Sequence, residues 1–209
     1  MCCRYHVSGV VTQELLDEGI LPDSVWDIRD GNGTERPGYG DQGLWTDSDI
    51  RPSDMAPVII GRQGRLTLAG MRWGLQAYEK GRLLINARAE SALDRPMFME
   101  GVRHRRCVAV ADHFYEWDRE KQKVEFSLKD GGLLCMAAFY NVQQGAPRCI
   151  LLTTSANESM ASVHDRMPLV IPRADMRRWI CDDEAAGQML RQGALMLKSR
   201  REYEQLSLF

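Results

Sequence analysis

The chain has 209 residues, 44% of them hydrophobic, and its 27 basic and 29 acidic residues give a formal net charge of −2. This length favours one sizeable domain, and the charge balance argues against wholesale nucleic-acid binding. No stretch approaches a membrane span, and the six cysteines show neither a CxxC pair nor zinc-ligand spacing. We therefore predict a cytoplasmic protein with reduced thiols, no metal site, no cofactor and no membrane contact.

The chain starts Met1-Cys2-Cys3-Arg4, a sequence that can expose a reactive N-terminus. Cys2 is small enough for an aminopeptidase to remove Met1, which would place a thiol and a free α-amine on adjacent carbons. An α-amine is partly unprotonated near neutral pH, so it can condense with an aldehyde to an imine. The thiol can then close a thiazolidine ring. The alternative interpretation is an ordinary cysteine in a frayed terminus.

The first part of the chain is predicted to form a short helix, a long loop and a β-hairpin. The helix runs from Thr12, as its N-cap, to a stop at Gly19. The acidic, glycine-rich segment 27–50 predicts a variable surface loop. Residues 57–60 and 65–69 predict the two strands of the hairpin.

Basic residues cluster in two segments that follow this loop. The segment 61–88 is rich in arginine, and 103–106 forms a second basic cluster. Local basic faces can hold a phosphate backbone even on a mildly acidic protein, while the alternative is an ordinary solvated surface.

An apolar strand leads into three alternating polar residues, Asn86, Arg88 and Glu90. Because side chains alternate along a strand, all three would share one face if the strand continues that far. This pattern favours the edge of a functional site. The alternatives are a turn that begins at Asn86 and an ion pair between Glu90 and Arg88. A short helix is predicted from Ser91, and Pro96 is expected to end or kink it.

The second half of the chain is predicted to be a sheet followed by helix. Residues 107–117 indicate a buried strand that reaches a polar turn. Three further strands of an antiparallel sheet are predicted over 123–129, 131–140 and 148–153. Residues 172–192 predict helix with an apolar face.

Three residues have a functional and a structural interpretation that these patterns leave open. Trp73 fits an exposed ring that stacks on a base, but a core position is favoured. Glu116 lies between two aromatic residues and can be a desolvated general acid; a stem that packs while the carboxylate reaches water is favoured. His164 can be a general acid or base, or a structural histidine bonded to Asp165.

The chain resembles the SOS response-associated peptidase (SRAP) family in four segments: Met1-Cys2-x-Arg4-Tyr5, Asn86-Ala87-Arg88-Ala89-Glu90, Ala111-Asp112-x-Phe114-Tyr115-Glu116-Trp117, and Thr153-Thr154-x-Ala156-Asn157 through His164-Asp165-Arg166-Met167-Pro168. The resemblance extends from residue 2 to about residue 172. It implies an α+β fold, with one SRAP-like catalytic domain over residues 1–197. The domain would contain a strongly curved, barrel-like antiparallel β-sheet flanked by helices.

The resemblance also implies a function, namely covalent cross-linking to abasic sites in single-stranded DNA during replication. Cys2 would be the nucleophile of a thiazolidine, Asn86 would position it, and Glu116 would serve as acid and base. His164 would assist proton transfers, including those of a strand-cleaving lyase reaction. The residues implied to hold the DNA are Arg4, Pro52, Trp73, Arg88 and Arg166. The peptidase activity in the family name would act on the protein's own Met1.

Two residues depart from the family pattern. Cys3 and His113 each occupy a position where the family usually has glycine, and both changes can alter the fit of a substrate without removing a catalytic group. Two other classes of function remain open. One is a cysteine peptidase that cleaves peptides in trans, and the other is a non-catalytic module that binds single-stranded DNA.

The chain is predicted to end in a polar tail, residues 198–209, whose last five residues read QLSLF. This ending resembles the pentapeptide that binds the bacterial sliding clamp, in which a glutamine hydrogen-bonds while leucine and phenylalanine fill an apolar cleft. The implied clamp contacts are Gln205, Leu206, Leu208 and Phe209. The alternative is that these apolar residues fold back onto the domain. We expect a monomer that acts at replication forks.

Overall fold

A computed structural model describes residues 2–22, 47–77 and 81–201 of the chain. The strands are β1 (Tyr5–Val7), β2 (Ser48–Ile50), β3 (Met55–Arg62), β4 (Arg65–Trp73), β5 (Leu75–Gln76), β6 (Leu83–Leu84), β7 (Asn86–Arg88), β8 (Arg106–Ala111), β9 (His113–Trp117), β10 (Lys123–Leu128), β11 (Leu134–Gln143), β12 (Ala146–Ser155), β13 (Arg166–Pro168), β14 (Val170–Ile171) and β15 (Leu197–Arg201). The helices are α1 (Gly9–Asp17), α2 (Pro96–His104), α3 (Met176–Cys181) and α4 (Asp183–Met189), with 3-10 helices over Ala89–Asp94 and Arg173–Asp175.

The larger of two main sheets closes into a barrel. β3 pairs with β4 and β8, β8 pairs with β11, and β11 pairs with β12. The ring closes because β12 also pairs with β4, in parallel. Every residue of β8 is buried, since α3 covers the outer side of the strand while the barrel core lies on the other. The predicted α+β fold with a barrel-like sheet is confirmed, although β12 makes parallel pairings with β4 and β7 within a largely antiparallel sheet.

The β3–β4 hairpin follows its sequence prediction most closely. The strands pair from Met55–Arg72 to Arg62–Arg65, so the hairpin is longer than the predicted segments. Gln63 and Gly64 form the turn with φ angles of 47° and 76°. Two successive residues with positive φ are typical of a type I′ turn, whose twist matches that of the flanking strands.

A second sheet holds the start of the chain, in the order β15-β10-β9-β1-β2. The chain passes from the barrel into this sheet at Asp112, which lies between β8 and β9. The Asp112 carboxylate accepts hydrogen bonds from Ser8 N at 2.6 Å and Ser8 Oγ at 2.8 Å, and this fixes the crossing point. The single strand predicted over 107–117 is therefore two strands in different sheets. β10 likewise belongs to the second sheet rather than to the sheet of β11 and β12.

Helix α1 begins earlier than predicted because Ser8, not Thr12, is its N-cap. The Ser8 hydroxyl accepts a 3.3 Å hydrogen bond from Val11 N, while Thr12 lies inside the helix and donates its hydroxyl to the Ser8 carbonyl. The predicted stop at Gly19 is confirmed, and its φ of 78° lies in the left-handed region that favours glycine.

The segment after β7 also differs from its prediction. β7 ends at Arg88, and Glu90 lies in a 3-10 helix, so the strand does not extend to carry three polar residues on one face. Pro96 starts helix α2 instead of ending one. Proline suits the first turn of a helix because the N–H that it lacks would have no intrahelical acceptor there.

The C-terminal part is helical over α3 and α4, as predicted for 172–192, and then returns to the second sheet. β15 pairs with β10, so residues 198–201 belong to the domain and not to the predicted tail. The loop predicted over 27–50 lies largely outside the described residues, apart from its end, where Ser48–Ile50 forms β2. No helix of the described ranges is long and apolar enough to cross a membrane.

Candidate functional site

Cys2 lies fully buried three residues before β1, next to Asn86 of β7. The Cys2 carbonyl oxygen accepts a 2.7 Å hydrogen bond from Asn86 Nδ2, although the two residues are 84 positions apart in sequence. β12 sets the position of Asn86 through the pairing of Asn86 with Leu151. The structure therefore brings together two of the predicted site residues.

The amide oxygen of Asn86 is the unusual atom of this site. Because a carbonyl oxygen only accepts hydrogen bonds, the Asn86 NH₂ group must face Cys2, and this fixes the amide orientation. Oδ1 is buried, and no donor from residues 2–22, 47–77 or 81–201 reaches it. A buried acceptor without a donor costs about 1–3 kcal/mol, so a donor that reached Oδ1 would gain a favourable hydrogen bond there.

Glu116 lies on the inner face of β9, opposite Val124, with only 3% of its surface exposed. The interpretation favoured from the sequence, a carboxylate that reaches water, is therefore wrong. Burial raises the pKa of the Cys2 thiol well above its ordinary value, and the negative charge of Glu116 raises it further. The same two causes raise the pKa of Cys3. The carboxylate thus lies within electrostatic reach of both thiols, and both stay protonated at neutral pH.

His164 precedes β13 on the other side of β12 from β7. Its Nδ1 lies 2.9 Å from Arg166 N and 2.8 Å from Asp165 Oδ1. The two contacts require different tautomers: Nδ1 accepts from Arg166 N when the ring proton is on Nε2, and it donates to Asp165 Oδ1 when it carries the proton itself. Both β7 and β13 flank β12, which places their backbones roughly 10 Å apart.

Trp73 is fully buried and does not present a ring to bases. Its Nε1 donates a 2.9 Å hydrogen bond to the Ile85 carbonyl, and its ring centroid lies 5.1 Å from that of Tyr5. The core interpretation is confirmed, because the indole has no exposed surface in this structure.

Arg4 and Pro52 lie nearer the surface. The Arg4 Nε is 3.1 Å from Asp49 Oδ2, and the guanidinium lies 5.9 Å from the centre of the Tyr115 ring. Pro52 belongs to the short turn between β2 and β3, where Ser53 has a φ of 77°. Both residues remain candidates for contact with a ligand.

Two arginines predicted to bind phosphate, Arg88 and Arg166, differ in exposure and in ion pairing. Arg88 is exposed at the end of β7. Arg166 has a side chain only 12% exposed, and it holds Glu90 with two hydrogen bonds of 2.8 Å. Glu90 therefore pairs with Arg166 and not with Arg88, and the Arg166 guanidinium lowers the pKa of Glu90.

A cleft of about 630 Å³ opens beside Asn86 and supplies residues that the sequence analysis did not single out. Its cationic lining consists of Arg82, Arg88 and Arg95, all exposed, and Phe98 adds an aromatic wall. In the sequence, only the arginine-rich segment 61–88 pointed to this cleft. Arg95 and Phe98 join the cleft because α2 starts at Pro96, which the sequence prediction missed.

The described ranges contain no group of histidine, cysteine or acidic side chains that could hold a metal ion. The predicted clamp contacts, Gln205 to Phe209, lie outside the described residues. The candidate site therefore consists of the buried Cys2 thiol, the Asn86 amide and the buried Glu116 carboxylate, and the arginine-lined cleft opens beside Asn86.

Fold and site together define a β-barrel α+β protein with a buried thiol at its N-terminus and an adjoining cationic cleft. A family model described as SOS response associated peptidase (SRAP) matches residues 1–207, and the chain belongs to this family. Abasic site processing protein YoqW of Bacillus subtilis is 33% identical over 146 residues, covering 63% of this chain and 65% of the relative. Abasic site processing protein YedK of Escherichia coli is 30% identical over 141 residues, covering 63% of each. The match thus spans just under two thirds of these relatives.

Solved structures support the fold over almost the whole chain. A protein from Bacteroides thetaiotaomicron has a TM-score of 0.73 at 16% identity, covering 96% of this chain and 91% of its own. A protein from Bordetella bronchiseptica has a TM-score of 0.71 at 19% identity, covering 96% and 99%. At these identities the likeness concerns the fold alone.

Proposed function

We propose that this protein recognises abasic sites in single-stranded DNA and cross-links to them covalently through Cys2 after removal of Met1. The observation that carries the proposal is the contact between Cys2 and Asn86, whose Oδ1 is buried without a donor from the described residues. Removal of Met1 gives Cys2 an α-amine, which is the kind of donor that Oδ1 lacks. The names of the relatives, abasic site processing proteins, agree with this substrate.

The chemistry begins at the amine, because the thiol is held neutral by burial and by Glu116. The α-amine of Cys2 attacks the aldehyde carbon of the ring-opened abasic sugar, and loss of water gives an imine. The Cys2 thiol then adds to the imine carbon, and its proton passes to the imine nitrogen to complete a thiazolidine. The buried Glu116 carboxylate is suited to carry these protons, including the one needed to open the sugar ring.

A lyase step competes with ring closure in this proposal. From the imine, a base removes a proton from the sugar carbon next to the former aldehyde, and the bond to the 3′-phosphate breaks. His164 is our candidate for this proton transfer. Rapid closure by the thiol removes the imine and therefore protects the strand from cleavage.

The cleft beside Asn86 would hold the strand next to the lesion. Its exposed arginines, Arg82, Arg88 and Arg95, suit phosphates, and the Phe98 ring suits a flanking base. Arg4 and Pro52 are further candidate contacts. Binding of this kind depends steeply on salt and weakly on sequence.

The raised pKa of the Cys2 thiol argues against a cysteine peptidase that acts in trans. Such an enzyme attacks with a thiolate, and both burial and the Glu116 charge disfavour the thiolate here. Peptidase chemistry in this proposal is confined to the removal of Met1.

The test uses protein whose N-terminus is verified by mass, incubated with a single-stranded oligonucleotide that carries a uracil converted to an abasic site by uracil-DNA glycosylase. A band shifted on a denaturing gel without borohydride indicates a stable adduct. Cys2→Ala should abolish this band and keep non-covalent binding, while Cys3→Ala should retain the band. If correctly processed protein gives no adduct, the proposal is wrong and a non-catalytic binding module is favoured.

We also propose that the C-terminal sequence QLSLF binds the bacterial sliding clamp and brings the domain to replication forks. The described domain ends its last strand at Arg201, which leaves these five residues eight positions or fewer from the sheet. Deletion of residues 205–209 should abolish clamp binding and leave cross-linking to a free oligonucleotide intact. Clamp affinity that survives the deletion would contradict this assignment.

A further inference from the structure

Two histidine rings stack on each other on the outer face of the second sheet. His6 of β1 lies opposite His113 of β9, their ring centroids are 4.9 Å apart, and the rings are nearly parallel, at 8°. The neighbouring residues Tyr5 and Phe114 are fully buried, so the two histidines point away from the core. His113 occupies a position where the family usually has glycine. The histidine pair therefore depends on a residue particular to this chain.

Each ring of the pair uses one nitrogen within the sheet. His6 Nδ1 donates to Asp49 Oδ1 at 3.1 Å, since an ionised carboxylate only accepts, and His113 Nε2 lies 2.7 Å from the Tyr115 hydroxyl. The other nitrogens, His6 Nε2 and His113 Nδ1, have no hydrogen-bond partner in residues 2–22, 47–77 or 81–201. Both side chains are partly exposed. Each ring can therefore take a proton or contact a ligand at its second nitrogen.

Two of the carboxylates that face the pair are held in ion pairs. On β2, Asp49 pairs with Arg4, whose Nε is 3.1 Å from Oδ2. On β10, Glu125 lies 3.8 Å from His113 Nε2 and pairs with Arg200 of β15 at 3.0 Å. The charges of these two acids are thus offset by arginines on the same face.

The remaining charged groups near the pair are one acid and two lysines. Asp112, which precedes β9, accepts two hydrogen bonds from Ser8. Lys123 of β10 lies 5.2 Å from the centre of the Tyr115 ring, and Lys198 of β15 pairs across the sheet with β10. Protonation of one histidine ring therefore adds a positive charge to a face whose acids already have partners.

The stacked geometry accepts one proton more readily than two. Two imidazolium charges at 4.9 Å repel each other, so the rings titrate as a pair. Burial lowers the pKa of His113, the Glu125 carboxylate opposes this shift, and His6 lowers the pKa further. The His113 ring is therefore neutral at neutral pH and needs an added negative charge nearby to hold a proton there.

Arg4 connects the pair to the candidate site. It follows Cys2 by two residues, which is at most about 7 Å of chain, and its partner Asp49 also holds His6. On the neighbouring strand, Tyr115 contacts His113 and directly precedes Glu116. A phosphate close to a lesion bound at Cys2 can therefore contact Arg4 and the open edge of the pair.

We propose that His6, His113 and Arg4 form a phosphate subsite on the outer face of the second sheet, which takes up a proton when single-stranded DNA binds. The phosphate is the negative charge that favours an imidazolium. Because the bound state then holds more protons than the free state, affinity is greatest at low pH and falls as the pH rises through the pKa of the DNA-bound pair. The proposal rests on the proposed function for its ligand, a DNA strand, and not on the cross-linking chemistry.

The first test measures affinity for an abasic single-stranded oligonucleotide between about pH 5.5 and pH 8.5, in a Cys2→Ala background that forms no adduct. Affinity should rise by up to about tenfold for each pH unit of acidification, the limit for uptake of one proton. In His6→Gln/His113→Gly the rise should drop to about twofold or less. The matched control is His104→Gln, which removes an exposed histidine at the end of α2 and should keep the dependence of its parent. His113→Gln replaces His113→Gly if the latter does not fold.

A double variant that keeps the parental dependence of affinity on pH would overturn the subsite. His164 is present in the parent and in every variant, so its own titration cancels in the comparison.

The second test follows the imidazole rings of the free protein by NMR as a function of pH. The chain has four histidines, and the spectra of the single variants assign His6 and His113. We expect the titration midpoint of His113 to rise in His6→Gln, because the neighbouring positive charge is gone. A His113 midpoint that stays in place would show that the rings titrate independently and would overturn the paired subsite.

The subsite and the proposed function fail separately. If the wild type forms the adduct but its affinity depends on pH as in the double variant, the proposed function stands and the subsite is wrong. If affinity shows the histidine-dependent rise but no adduct forms, the cross-linking is wrong and the subsite stands. If the protein binds no single-stranded oligonucleotide at any of these pH values, both are wrong.

Discussion

Replacement of Asn86 by alanine tests the centre of the site. The change removes a 2.7 Å hydrogen bond to the Cys2 carbonyl and the Oδ1 acceptor that we assign to the α-amine. A partly buried hydrogen bond of this kind contributes about 1–3 kcal/mol when its partner is left unsatisfied. Since 1.4 kcal/mol corresponds to a factor of ten, we expect the cross-linking rate constant to fall roughly 5- to 150-fold.

The assay measures adduct formation over time at saturating abasic oligonucleotide, with affinity measured separately in a Cys2→Ala background. Asn141→Ala is a matched control, because Asn141 Nδ2 also donates to a backbone carbonyl, that of Met97, at 2.9 Å. This control should lose a similar amount of stability and little cross-linking rate. If Asn86→Ala cross-links at the wild-type rate, or slows no more than Asn141→Ala, the role of Asn86 in positioning the N-terminus is refuted.

Three further outcomes follow from the structure. Arg88→Gln should reduce the slope of log affinity against log salt by about 0.7, the value for one phosphate contact on a single strand, and an unchanged slope would remove Arg88 from the interface. Trp73→Phe should destabilise the fold by about 0.5–1.5 kcal/mol in thermal melts, because Ile85 O loses the indole donor and keeps only the Leu151 N–H, while DNA affinity of the folded protein stays constant. Burial raises the pKa of Cys149 to about 12 and that of Cys107 well above its ordinary value, so stability should be fully present at neutral pH and fall above about pH 8.5, where unfolded thiols ionise. Melting temperatures that stay level from pH 7 to 10 would contradict the last prediction.

The sequence identified the local elements better than their arrangement. Alternation and turn residues were sufficient for the β3–β4 hairpin, because its register is set by neighbours in the chain. They were insufficient at Asp112, where the chain changes sheets within a continuous run of strand-forming residues. The switch depends on the two hydrogen bonds from Ser8, a residue 104 positions away. No local pattern contains that partner.

In the candidate site, too, the sequence identified residues better than their surroundings. Cys2, Asn86 and Glu116 were expected in one site because the family resemblance implies it, and the structure places Cys2 near both other residues. The burial of Trp73 and the ion pair of Arg166 with Glu90 were not predicted, because a tryptophan beside arginine and an arginine near a histidine look alike in sequence whether they face inward or outward. Only burial and partners separate the two cases, and both are properties of the tertiary structure.

The complete burial of Cys2 has a consequence for the order of events during synthesis. β1 is fixed by β9 and Cys2 by Asn86, so the N-terminus cannot be enclosed until the chain has grown past Glu116. At ~5–20 residues per second this leaves an interval on the order of 10 s in which the terminus is open to an external aminopeptidase. After folding, the same peptide bond adjoins a residue with no exposed surface. Removal of Met1 by an external aminopeptidase would therefore have to precede folding. The folding rate would then determine the fraction of the protein that carries a free α-amine on Cys2.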